Sequence, residues 1–357
     1  MIKLVVRGLP SRTWEEREAE RKHRAQIASR QGVIGLMHPI KDPEILAKYP
    51  PKTPPSGWLI IDKPSGMTSN DVLTKIKRKF GKFKLGHTGT LDPLATGVLP
   101  IAVGQASKLM SFIPDTSKAY TFTVKWGEAT DSDDSDGTIT ATSKVLPTQK
   151  QIKAALPSFI GTIMQTPPAF SAVKVSGKRA YKLARQGETP DLTPKEITIK
   201  SLKVVSFDAR NQTTFKVECS AGTYVRAIAR DMAKMLGTYG HIIALRRIKS
   251  GKFTEKDTIP LANFLEIEQI DDALLHFLPV TTVLDDIPAL AINEVEARAI
   301  ERGAPIPALP LIERLGIKVS NDSYFQLYYE GKFYAMAIIG GAKIKPVKVF
   351  VGKFLNE

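Results

Sequence analysis

The sequence predicts an α+β fold: a mixed, largely antiparallel sheet, followed by a small C-terminal β-rich module. Three observations predict it. From residue 118 to 127 the side chains alternate, with Tyr120, Phe122, Val124 and Trp126 on one face and Thr121, Thr123 and Lys125 on the other, as in a half-buried strand. Over residues 70–80 the period becomes helical, placing Val72, Leu73, Ile76 and Phe80 on one face and lysines on the other. Strand and helix patterns then intermix without the strict alternation of a parallel α/β sheet.

Taken in order, residues 1–56 read as a basic extension and linker. A charged helix candidate at 14–30 is followed by Lys48-Tyr49-Pro50-Pro51-Lys52-Thr53-Pro54-Pro55, an extended tract. Such an arm either adds affinity for a polyanion or is a disordered tail. The body opens at Gly57. Trp58-Leu59-Ile60-Ile61 is a buried-strand run closed by the turn Asp62-Lys63-Pro64-Ser65-Gly66, and the 70–80 helix follows. Residues 131–137 are acidic, but the glycine falls one position late for a calcium loop and Thr142 stands where a bidentate Glu is needed; the reading is a solvated loop. Strands are expected at 197–208, 213–219 and 241–249. A helix is expected at 223–236, with Val225, Ile228, Met232 and Met235 inward. Past Pro288, Tyr324-Phe325-Gln326-Leu327-Tyr328-Tyr329 and Ala335-Met336-Ala337-Ile338-Ile339 are short strands separated by glycine turns. The expected domains are 1–56, 57–284 and 285–357, with an insertion at about 165–196.

Charge speaks to partners. The 357 residues carry 51 Lys+Arg against 36 Asp+Glu, a net +15, and a surplus of this size favours a polyanion. It is unevenly placed: 11 basic and 6 acidic groups in 1–56, 31 and 21 in 57–280, and 9 of each in 281–357. Cys219 is the lone cysteine, which excludes an intrachain disulfide and a thiolate metal cluster and suits a reducing compartment. No apolar run is long enough to span a bilayer, and Trp14-Glu15-Glu16-Arg17-Glu18-Ala19-Glu20 is too acidic for an organellar transit peptide. A cytoplasmic protein is the expectation.

The densest chemical signal is Gly86-His87-Thr88-Gly89-Thr90-Leu91-Asp92-Pro93-Leu94-Ala95-Thr96-Gly97-Val98-Leu99-Pro100. Three glycines, two prolines and three threonines in fifteen residues describe a tightly turned loop. Asp92 is locked into it by Pro93. A carboxylate held stiffly among apolar neighbours suits a nucleophile, while Asp beside Pro equally closes an Asx turn. Read alone, Tyr120 suits core packing, Arg226 a pairing with Asp231 or a surface acid, and His87 a buried structural histidine.

The 86–100 loop resembles the signature loop of the TruB family, the tRNA pseudouridine-55 synthases, and four further motifs follow that family's order. These are Asp62-Lys63-Pro64-Ser65-Gly66-Met67-Thr68-Ser69, Lys118-Ala119-Tyr120, Gly222-Thr223-Tyr224-Val225-Arg226, and the run from Gly240-His241 through Leu245-Arg246-Arg247. The resemblance covers about 57–280 strongly and the C-terminal module, similar to a PUA-like domain, weakly. It implies a catalytic domain of pseudouridine-synthase type that isomerises uridine in the T loop of tRNA and needs no cofactor and no metal. By matched position it implies Asp92 as nucleophile, Tyr120 stacking on the flipped base and helping to remove its proton, and Arg226 paired with the nucleophile. His87 then lies near the displaced nucleotide, Tyr224 and Leu245 in the pocket, and Lys63 at its edge.

Residues 172–187 mix Lys174, Lys178, Arg179, Lys182 and Arg185 with Tyr181 around Gly177. They resemble the family's insertion that grips the tRNA elbow through phosphate contacts; a plain surface loop is the alternative. Its presence implies a stand-alone monomer that holds the T-arm and elbow of tRNA without a protein partner, and without a membrane.

Overall fold

The computed structural model describes residues 56–81, 83–113, 116–175, 177–208, 211–315 and 321–350. The expected arm at 1–56 therefore lies, save for Ser56, outside the described residues.

In chain order, β1 (Gly57–Lys63) leads to α1 (Ser69–Phe80). β2 (Leu85–His87), β3 (Thr96–Val103) and β4 (Lys118–Trp126) come next. The short hairpin of β5 (Glu128–Thr130) and β6 (Ile139–Thr142) precedes α2 (Gln149–Ala155) and β7 (Gly161–Gln165). An excursion then carries β8 (Lys174–Val175), β9 (Lys178–Arg179) and α3 (Ala180–Arg185). The chain returns through β10 (Lys195–Asp208), β11 (Gln212–Cys219), α4 (Val225–Met235) and β12 (Gly240–Ser250). β13 (Phe253–Thr254), β14 (Ile259–Pro260), α5 (Leu261–Glu266), α6 (Ile270–Leu274) and β15 (Phe277–Leu278) complete the body.

These strands form one sheet in the order β14-β1-β3-β12-β4-β11-β10-β7, with β2, β13 and β15 paired off that path. Only β1–β14 and β3–β12 run parallel among its pairings, so the sheet is mixed and largely antiparallel, as the sequence predicts. Local chemistry explains the elements. Thr68 caps α1 reciprocally with Asp71, its last turn holds Lys77, Arg78 and Lys79 against the helix dipole, and Gly81 ends it at φ +101. On β4 the inward set Tyr120, Phe122, Val124 and Trp126 is buried, with Phe122 stacked on Phe215 of β11. α4 buries Val225, Ile228 and Met232 against the sheet. Met235, expected inward, is 55% exposed because the helix ends there and the chain turns out at Leu236 and Gly237.

The C-terminal module holds β16 (Ala289–Ala291), α7 (Glu294–Glu301), β17 (Ile306–Pro307) and α8 (Leu309–Leu315). β18 (Tyr324–Tyr329), β19 (Lys332–Gly340) and β20 (Lys343–Val349) follow. Its sheet runs β16-β18-β19-β20-β17 around Leu290, Ile300, Phe325 and Ile344. A separate cluster joins it to the body: Trp58, Ile60 and Val98 pack with Val283, Phe333, Met336 and Phe350. Burial of that many large side chains is what holds the module on the back of β1 and β3.

Candidate active site

Asp92 stands on the turn between β2 and β3, and that turn is tied down from several sides. The Leu91 amide donates to Ser69 Oγ at 2.9 Å. The Pro93 carbonyl accepts from the Gly66 amide at 2.9 Å and from Lys63 Nζ at 3.2 Å. The Ala95 amide donates back to the Asp92 carbonyl at 3.1 Å, and Leu91 is buried in the core. The carboxylate is thus placed by a backbone with little freedom, which is how a reacting group is held in register with its target.

Its side chain, 36% exposed, opens into a cavity of about 280 Å³ that Tyr120, Tyr224, Arg226, Leu245 and Arg247 also line. Arg226 lies in the first turn of α4 and is 4% exposed. Its Nε sits 3.0 Å from Asp92 Oδ2, a charge pair rather than an aligned hydrogen bond. Nη1 donates to the Ser132 carbonyl at 2.7 Å and lies 3.4 Å from Asp134 Oδ2, while Nη2 donates to the Phe170 carbonyl at 2.8 Å. Burial pushes the Asp92 carboxyl above the ordinary range; Arg226 pulls it down and Asp134 pushes it up.

The other expected residues fall as follows. Tyr120, on β4, is buried with its phenol pushed up by burial and pulled down by the Arg247 guanidinium. Leu245, on β12, faces Phe122 across the antiparallel pair. Tyr224 is held by two hydrogen bonds to Gln165 at the end of β7: its amide donates to Oε1 at 2.8 Å and its carbonyl accepts from Nε2 at 3.0 Å. His87 is not in this cavity. It lines a second one of about 500 Å³ with Met110 and Phe253, and the two share Gly89, Lys118 and Ala221. Burial, then Arg247, lowers the His87 pKa, and its buried Nδ1 has no partner among the described residues.

Lys63, expected at the pocket edge, is instead wholly buried beneath the turn. Its ammonium reaches three carbonyls, those of Met67 (2.6 Å), Pro64 (2.8 Å) and Pro93 (3.2 Å), so it braces the loop and does not line the cavity. Burial lowers its pKa to about 8. Lys174, Lys178, Arg179, Lys182 and Arg185 are exposed on the β8–β9 hairpin and α3; none lines the cavity, although Arg179 donates to the carbonyl of Ala172, which does, and Arg185 lies 5.7 Å over the Tyr181 ring.

Three residues escaped the sequence reading. The acidic stretch at 131–137, expected to be solvated, is docked on β12: Asp134 bridges to Ile242, and Ser132 and Asp134 are buried. Asp134 then joins the Arg226 site. Arg230, one turn after Arg226, takes Asp231 (2.9 Å), Asp133 (3.2 Å) and the Thr166 carbonyl (2.8 Å), so Asp231, the alternative partner for Arg226 when that residue is read alone, belongs to Arg230. Arg247 is the third. An arginine two positions after inward Leu245 was the available signal, since i and i+2 share a strand face. Among the described residues no group of three or more His, Cys, Asp or Glu side chains is placed to hold a metal ion, and no helix is long and apolar enough to cross a membrane.

The chain matches the TruB family pseudouridylate synthase (N terminal domain) over residues 77–225 and the tRNA pseudouridylate synthase B C-terminal domain over 226–285. It is 46% identical over 302 residues to tRNA pseudouridine synthase B of Bradyrhizobium diazoefficiens, covering 82% of this chain and 85% of that one. Against the Caulobacter vibrioides protein of the same name it is 44% identical over 300 residues, covering 83% and 96%. Among solved structures it resembles "Structure of H/ACA RNP bound to a substrate RNA containing 2'-deoxyuridine" at TM-score 0.62 and 21% identity, covering 83% of this chain and 85% of that. It also resembles "Crystal Structure of a Cbf5-Nop10-Gar1 Complex" at 0.59 and 24%, covering 83% and 84%. At those identities the likeness is one of fold, a pseudouridine-synthase sheet with a PUA-like C-terminal module. Sequence and fold agree that the chain belongs to the TruB family of pseudouridylate synthases.

Proposed function

We propose that this protein isomerises uridine to pseudouridine at position 55, in the T loop of tRNA, acting without a protein or guide-RNA partner, with Asp92 as nucleophile. The observation that carries this reading is the Asp92–Arg226 pair. A buried guanidinium, always charged, favours the ionised carboxylate in a pocket whose burial opposes it.

The surrounding residues suit the steps. A base inside folded RNA is reached only after extrusion, and an aromatic ring offsets its lost stacking. Tyr120 is the ring at the cavity wall, with Leu245 and Tyr224 as the other walls. His87, in the adjoining cavity, is set to meet the neighbouring displaced nucleotide. Once the C1′–N1 glycosidic bond has broken, with Asp92 as nucleophile, the freed uracil turns and rejoins ribose C1′ through its C5. The exposed cations at 174–185 supply phosphate contacts that a stand-alone enzyme needs.

The test is Asp92→Asn and Asp92→Ala assayed on an unmodified tRNA transcript with no other macromolecule present, with pseudouridine mapped at each uridine. The expected result is modification at position 55 by the wild-type chain and none by either variant. Full modification by either variant refutes the nucleophile, and wild-type activity only with added RNA or protein refutes stand-alone action.

A further inference from the structure

Arg247 is a buried cation without a carboxylate beside it. It is 1% exposed, and among the described residues no acidic side chain pairs with it. Its guanidinium is met by backbone and phenol: Nε donates to the Val98 carbonyl at 2.7 Å, Nη2 to the Gly89 carbonyl at 3.0 Å, and Tyr120, its partner across the strands, lines the same cavity and interacts with it electrostatically. Placing a charge on the core face of a strand is costly, and neutral acceptors offset that cost only in part. An aliphatic residue beside Leu245 would fill the same space without it.

Position explains what the charge reaches. Arg247 stands opposite Tyr120 in the antiparallel β4–β12 register, and the register shifts between Arg247 and Lys249. Such bulges re-aim side chains beside active sites. The two carbonyls it holds lie on either side of Asp92, Gly89 before the turn and Val98 after it. One guanidinium therefore touches the frame of the nucleophile and acts electrostatically on the stacking tyrosine. The titratable groups facing the pair are Cys219 on β11, Asp92 on its turn, Lys63 on β1 and His87 on β2.

We propose that Arg247 is a positioning residue that acts through Tyr120, fixing the phenol oxygen at the cavity wall and supplying the positive charge that lets it serve as a base. The inference rests on the reading of the site given above. When C5 of the turned uracil has bonded to the ribose, C5 carries both that bond and its hydrogen. The C5–H bond then breaks and its electron pair forms C5=C6. The C6=N1 pair moves onto N1, which takes a proton from water, and the C5 proton passes to the Tyr120 oxygen. That oxygen must be phenolate at that moment, its own proton having gone to water, and only an adjacent cation favours phenolate in so buried a place.

The test uses the full chain with Arg247→Met and Arg247→Lys, each alone and combined with Tyr120→Phe, measuring single-turnover pseudouridine formation across pH, tRNA affinity and thermal stability. Arg247→Met is expected to slow turnover by about 100-fold, the usual weight of a general base, while leaving tRNA affinity unchanged. Its rate should keep climbing to higher pH than the wild type, because the phenol ionises later without the cation. Arg247→Lys should recover part of the loss. On the Tyr120→Phe background neither change should cost anything more. Additive losses, or a slowed rate with an unmoved pH profile, would make Arg247 merely structural and overturn the proposal. So would unchanged turnover. If Arg247→Met does not fold, Arg247→Lys carries the same cycle. Wild-type inactivity on the same transcript would sink the reading of the site itself, whereas wild-type activity with an indifferent Arg247 sinks only this inference.

Discussion

Gly97 lies against the backbone of Arg247. Where β3 and β12 pair in parallel, a Cβ on Gly97 would fall 3.0 Å from both the carbonyl carbon and the amide nitrogen of Arg247, and Gly97 itself holds φ +99. This contact lets the strand after the Asp92 turn approach the strand that carries Leu245 and Arg247.

Gly97→Ala is therefore expected to destabilise the fold by more than about 2 kcal/mol, since it meets both strain at positive φ and rigid backbone. Urea unfolding checks it; a change below about 0.5 kcal/mol would mean the two strands separate freely.

The charges around Asp92 predict pH shifts of opposite sign. With Asp92 as the proposed nucleophile its carboxylate must be ionised, so activity should fall as pH drops through a pKa held above the ordinary Asp range by burial. Arg226→Gln removes the charge that pulls this pKa down and should move the acid limb to higher pH. Asp134→Asn removes a charge that pushes it up and should move the limb lower. Single-turnover profiles decide; movement in one common direction would contradict the arrangement.

Lys63 predicts a stability effect at high pH. Its folded pKa of about 8 lies below the model-peptide value of 10.5. Between those values the unfolded chain binds the extra proton, so stability should rise with pH across that window. The full effect is on the order of 3 kcal/mol, and it should vanish in Lys63→Met. That variant should also slow modification, because the Pro93 carbonyl loses its brace. Denaturant curves for both proteins from pH 7 upward test the slope.

Tyr120→Phe keeps the ring and loses the hydroxyl. Retained tRNA binding with slowed turnover is expected; loss of binding alone would make Tyr120 an anchor or packing residue.

On the insertion, Lys178→Ala with Lys182→Ala should weaken tRNA binding across sequences and lower the slope of log affinity against log salt by about 1 per contact removed. Both side chains are exposed and outside the cavity, so single-turnover rate at saturating enzyme should hold. An unchanged salt slope would leave the hairpin as surface.

Much of this molecule is written locally. The alternation that buries Tyr120, Phe122, Val124 and Trp126, the Thr68 cap of α1 and the glycine–proline turn around Asp92 all depend on neighbours a few residues apart. Local pattern therefore sufficed for the fold class and, through motif resemblance, for Asp92, Tyr120, Tyr224, Arg226 and Leu245 at the cavity. It did not say which charges lose their water. Asp134 is buried because Arg226, 92 positions later, arrives beside it; Lys63 turns under the loop because three carbonyls converge there. Arg247 became a pocket residue when β12 paired with β3 and β4 at once. Element type follows from the period of apolar side chains along the chain, whereas the desolvation and pairing of ions are set by groups far apart in sequence, and only the folded arrangement decides them.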